Sequence, residues 1–316
     1  MIDFRYHLVS LIAVFLAVAL GIVIGTTQLN GPVLTNLQGQ VTALQSDKRA
    51  LEDQTEVLQD QLDDVGSFEE AVGPTLVADS LTGRSVVLVV ATPVETSVIE
   101  GVTALLGSAG AAVTGTIRLT DGYADPAGDA ALTSYLEGPG VPTTVTLPPG
   151  ADVGQQTASL LAQVLMVPGP GAADAGVLPS TTDTSTVLAA LEQLGVLSKD
   201  TSSVSPADHA VVLTAGVLDG DDASARAAAL LQLATALDGE GSGAVVAGDP
   251  ASAGDGGLVA TVRADPEVTT TLSTVDNVTA AAGRISTVLA LAAEGRGTSG
   301  EYGVGEDTKP VPPPAS

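Results

Sequence analysis

Few side chains in this 316-residue chain could carry chemistry, and their spacing narrows the choice further. There is no Cys, which excludes thiolate metal sites and Cys nucleophiles. His209 and Met166 are the metal-ligand candidates beyond the N-terminal segment. A soft copper site wants several Cys, Met or His ligands, so these two alone argue against one. A Ser-His-Asp triad would have to use His209, and no G-x-S-x-G elbow accompanies it. Asp219, Asp221 and Asp222 resemble part of a calcium loop without its Gly and distal Glu. They are expected to cap the helix that follows, where carboxylates meet free N–H groups and the positive helix end. The turn at 91–95, after the first buried strand, contains no glycine, so neither a P-loop nor a dinucleotide fingerprint is present. The glycine-rich stretch 248–257 reads as a surface turn. No catalytic, cofactor-binding or metal residue is therefore assigned, no cofactor is expected, and the chain reads as a non-enzyme.

Charge and composition remove further classes. The net charge of -26 repels nucleic acid and anionic lipid. Aromatics at 2% leave too few rings for nucleobase stacking or sugar platforms.

The elements that would position anything begin with an apolar run. From Leu8 to Gly25 no residue is charged and only Ser10 is polar, and apolar character continues weakly to Leu29. About 20 apolar residues cross a bilayer as a helix, so 8–29 is expected to be an uncleaved, single-pass signal anchor. Arg5 precedes it and the next charge is Asp47. Positive flanks stay cytoplasmic, which puts residues 1–7 in the cytosol and the bulk of the chain outside the plasma membrane. Phe4 and Tyr6 suit the headgroup layer. Ala13, Ala17, Gly21 and Gly25 form a small-residue stripe through which two helices could approach.

Residues 31–66 read as a coiled coil. With Leu34 at position a, the a series continues Val41, Lys48, Thr55, Leu62, and the d series is Leu37, Leu44, Leu51, Leu58, Val65. Leu at d with β-branched or polar residues at a favours a parallel homodimer. Beyond Gly66 a helix is expected from 68 to 81, broken at Gly73-Pro74. The head, 67–293, reads as a mainly parallel α/β sandwich. Continuous apolar runs at 85–92 and 208–215 mark strands buried on both faces, with further strands at 112–119, 243–248 and 258–263. Helices are expected at 95–108, 127–136, 155–167, 183–194 and 223–237, and a final helical region from 266 to 293. The Gly- and Pro-rich segment 294–316 is expected to be a disordered tail.

Four segments carry a resemblance. Residues 1–25, the segments 273–277 and 283–291, and Glu301 to Gly303 resemble the actinobacterial MctB family. That family includes a mycobacterial copper transport protein and a SteB-like corynebacterial cell-division protein. The latter is a single-span partner of a cytosolic protein, and together they control septal peptidoglycan hydrolysis. The resemblance implies two alternatives. One is a non-catalytic dimeric scaffold linking a cytosolic cell-division partner to a cell-wall enzyme. Phe4, Arg5, Tyr6 and His7 would then face that partner, and Asp276 and Asn277 would offer a head contact unless their segment is a turn needed for folding. The other is copper transport or copper homeostasis as an efflux channel component, with copper bound. The lone span and the missing series of amphipathic strands for a barrel favour the scaffold.

Overall fold

The computed structural model describes residues 4–169, 180–201 and 203–313. It divides into two units, Met1–Val65 and Gly66–Ser316. Helix α1, Phe4–Val77, supplies all the described structure of the first unit and the opening of the second. Within it, the 22-residue stretch Phe4–Gly25 holds an 18-residue window with a mean hydropathy of 2.9, none of it buried. It is long and apolar enough to cross a membrane. Leu37, Leu44, Leu51 and Leu58 are also exposed.

The second unit alternates strands and helices: β1 Ser85–Val90, α2 Thr96–Ser108, β2 Ala112–Leu119, α3 Asp129–Leu136, α4 Val153–Leu165, α5 Thr181–Gln193. Next come β3 Leu197–Lys199, β4 His209–Thr214, α6 Ala223–Glu240, β5 Ala244–Gly248, α7 Leu258–Arg263, β6 Ser273–Val275, α8 Ala281–Glu294 and β7 Glu301–Tyr302. The seven strands form one sheet in the order β3-β2-β1-β4-β5-β6-β7. All pairs are parallel except β2 with β3. The fold class is thus α/β with a mostly parallel sheet.

Strand alternation builds two cores. Val87, Val89 and Ala91 join the core under α3, α4, α5, α6 and α7. Val86, Leu88 and Val90 join the opposite core with α2, α8, Val77 and Tyr302. A strand buried on both sides must be apolar along its buried length, and β1 is so from Val86 to Val90, after the half-buried Ser85.

Four expectations are corrected. The first helix does not break at Gly73-Pro74. Gly73 lies close under α8, where an added Cβ would sit 3.1 Å from Ile285 Cδ1, so the glycine allows close packing and does not end the helix. The segment 258–263 is helix α7, not a strand. Leu258, Val259 and Val262 fall on one helical face and are buried, and periodicity cannot separate helix from strand in so short an apolar run. The region 266–293 is not continuously helical, because Ser273, Thr274 and Val275 form the fully buried β6 and α8 starts only at Ala281. Lastly, 294–316 is not a disordered tail over its described length. Strand β7 pairs with β6, and Tyr302 is buried in the core.

Candidate functional site at the amino-terminal strand edge

Open parallel sheets usually bind ligands beyond the carboxyl ends of their strands, where strand order reverses. Here that point lies between β1 and β4, and a threonine pair bridges it. Thr92 Oγ1 and Thr214 Oγ1 are hydrogen-bonded at 3.2 Å. Thr92 Oγ1 also donates to the Ala215 carbonyl at 3.0 Å and accepts from the Ala215 N–H at 2.7 Å.

The opposite edge is open. A cavity of roughly 530 Å³ is lined by Arg84, Asp238, Ser242, Thr271, Glu294 and Ser299, with glycines between them. It sits where β1, β4, β5 and β6 begin and where α6 and α8 end. Helix carboxyl ends carry partial negative charge and disfavour carboxylates, yet α6 ends with Asp238 and Glu240 and α8 with Glu294.

Glu294 is 7% exposed, and its Oε1 has no hydrogen-bond partner. Burial pushes its pKa up to about 8, the charge of Asp238 adds to this, and hydrogen bonds from Ser273 oppose it. Burial likewise pushes Asp238 up to about 6, although its Oδ1 accepts from Ala244 N–H at 2.9 Å. His209 is 1% exposed, and Nδ1 is unpartnered. Burial holds its pKa below the ordinary value, with Asp208 opposing. Asp208 itself is tied to Ser85, accepting from its N–H at 2.8 Å and its hydroxyl at 2.7 Å.

A stability prediction follows with a definite sign. Unfolded, Glu294 ionises near 4.5, and folded it ionises at about 8. Between those values the folded state keeps a proton that the unfolded state has lost, so stability falls as pH rises. Asp238 acts alike, from 3.8 to about 6. His209 acts oppositely and levels off within about a unit above its unfolded value of 6.5. From pH 6.5 to 8, Glu294 is the dominant titration of the three. At about 1.4 kcal/mol per pH unit, it removes roughly 2 kcal/mol and lowers Tm by several degrees. Thermal unfolding of Glu294→Gln at the two pH values is expected to flatten this slope. An unchanged slope would refute the assignment.

Met166 is wholly buried and packs against Gly241. Among the described residues no group of three or more His, Cys, Asp or Glu could hold a metal ion. With one enclosed imidazole, one enclosed thioether and two separate acids, the donor set does not fit copper as a bound group.

The remaining candidates fall elsewhere. Phe4, Arg5, Tyr6 and His7 are exposed, and an added Cβ at Gly21 or Gly25 meets nothing within 4 Å. Asp276 and Asn277 are not on the surface, which corrects their proposed contact role. Asp276 is 1% exposed. Its carboxylate pairs with Arg263 Nη1 at 2.9 Å and accepts from Val304 N–H at 2.7 Å and Gly305 N–H at 3.1 Å. Asn277 is buried against Gly283. Their work is folding. Sequence reasoning missed Asp238 and Glu294. The signal for Glu294 was a single acid closing the apolar helix 285–294.

Comparison with known proteins places this architecture. A family model described as "Copper transport outer membrane protein, MctB" matches residues 1–313. The "Copper transporter MctB" of Mycobacterium tuberculosis (strain ATCC 25618 / H37Rv) is 33% identical over 314 residues, covering 98% of this chain and 99% of the relative. That of Mycobacterium leprae (strain TN) is 35% identical over 322 residues, covering 99% and 100%. With its apolar N-terminal helix and its α/β head matched from end to end, the chain belongs to the MctB family.

Proposed function

We propose that this chain serves copper transport and homeostasis at the cell envelope as a membrane-anchored, non-catalytic component of a larger assembly. The observation that carries this is the end-to-end match to relatives named copper transporter. In this reading copper is cargo, not a resident group. The helix Phe4–Gly25 is the single span, with Arg5 on the cytosolic side. One helix cannot enclose a pore, and the described strands form an open, mostly parallel sheet, unlike the closed antiparallel barrels of outer membranes. Transport therefore requires further copies or partners. The exposed seam of Leu37, Leu44, Leu51 and Leu58 supports a parallel homodimer through a coiled-coil stalk.

The same seam favours a second reading, a scaffold that couples a cytosolic cell-division partner to a cell-wall enzyme. Deleting the gene in its host and measuring cell-associated copper under copper challenge separates the two. Raised copper, restored to normal by the intact gene, supports the transport role. Unchanged copper with defective cell separation would replace it with the scaffold.

A further inference from the structure

The heptad register of the stalk does not stop at the head. Counting on from Leu62 at a and Val65 at d, the next positions are Glu69 at a, Val72 at d and Leu76 at a. Helix α1 runs to Val77, so these residues are helical. Its last turns show two faces. Positions b and e turn to the head itself: Glu70 pairs with Arg284 at 3.0 Å, Gly73 packs under Ile285, and Val77 is fully buried. The a/d side is left outward. Leu76 is 59% exposed, and Phe68 beside the seam is 66% exposed. Together with Val72, Ile285, Leu289 and Val311 they line an apolar groove of roughly 440 Å³.

We propose that a second copy of this chain covers the groove, so that the dimer seam continues through the stalk into the head as far as Leu76. This rests on the dimer reading above and extends it to the folded domain. Three features fit that occupant. The groove keeps the same register as the stalk, and only an in-register helix satisfies both. Pro74 falls at position f, away from the seam, where its missing N–H faces no partner helix. Glu69, the one acid on this part of the seam, is drawn aside. Its Oε2 accepts from Ala282 N–H at 3.1 Å, at the positive end of α8. Two copies thus avoid facing carboxylates at the a position, which would repel.

The test uses the full chain in membranes. Because the chain has no Cys, each single-Cys variant carries one reactive thiol. Leu44→Cys reports the stalk, Val72→Cys and Leu76→Cys report the groove, and Ala71→Cys at position c is the control. Oxidation with diamide is expected to join the first three into dimers several-fold more than the control. Cross-linking at Leu44→Cys with neither Val72→Cys nor Leu76→Cys above the control overturns the groove contact and leaves the dimer standing. Failure at Leu44→Cys as well removes the dimer reading and the groove contact with it. Leu76 is exposed and tolerates replacement, so a folding defect in Val72→Cys does not blunt the test.

Discussion

Replacing Asp276 by alanine is expected to cost about 3–5 kcal/mol of folding stability. The carboxylate closes three bonds at once, to Arg263 and to the N–H groups of Val304 and Gly305. Arg263 would keep its bonds to Thr274 Oγ1 at 2.9 Å and the Tyr302 carbonyl at 3.0 Å. It would nevertheless lose its shorter ion pair and keep only the longer one to Glu301 at 3.7 Å, and removing one member of a buried pair costs more than the pair was worth. Two N–H groups would also go unmet, each at about 1–3 kcal/mol when buried. Gly303 holds φ +135°, and a Cβ added there would fall on the same carboxylate, so the chain passes Asp276 closely only because it has a glycine here. For the full chain, the head's unfolding transition should drop by roughly 10 °C. Protease should then cut within 303–313 before it cuts elsewhere. Asp276→Asn keeps the acceptor and should fall between the two. A loss below about 1 kcal/mol for the alanine variant would show that the C-terminal segment is held by other contacts.

Leu44→Asp combined with Leu51→Asp is expected to convert the proposed dimer to a monomer. Both leucines are exposed on the isolated helix, so the change costs a monomer little. Leu to Asp lowers helix propensity by at most about 0.7 kcal/mol each, too little to melt a 74-residue helix. In a dimer the same residues face their copies, and two layers of paired carboxylates would be desolvated at several kcal/mol each. Each 1.4 kcal/mol is a factor of ten in affinity, so the dimer weakens by at least about 10⁴-fold. Sedimentation of the full chain in detergent reads the mass, and far-UV circular dichroism checks that the helix survives. An unchanged dimer would remove the stalk from the interface.

Much of this fold could be read before any coordinates, because its central strands and longer helices advertise themselves. The run 86–90 is apolar at every position since β1 has helices on both faces. The apolar N-terminal helix shows in the same way, as charge missing over 8–25. What escaped reading is short or stabilised from a distance. Strands β6 and β7 have 3 and 2 residues, too few for alternation to register. Tyr302 lies among glycines that look like a linker, yet the ring is buried and its strand is held by Asp276 and Arg263. The cavity acids were invisible for a similar reason. Asp238 and Glu294 end two different helices, and only the sheet between them brings their charges within range of each other.

The position of β1 in the sheet sets a constraint on biosynthesis. Its neighbour β4 arrives late: Ser85 and Asp208, which bond at the start of the two strands, are 123 positions apart. At typical rates of synthesis the interval is on the order of 10 s. During that time Ser85–Val90, an uncharged, β-branched segment without proline, has one edge unpaired, and such segments readily form intermolecular β-structure. Completion waits further, because β7 is added last. Emergence order therefore leaves β1 paired on one edge alone until β4 arrives, and a protein that ends early loses the strand that seals its sheet.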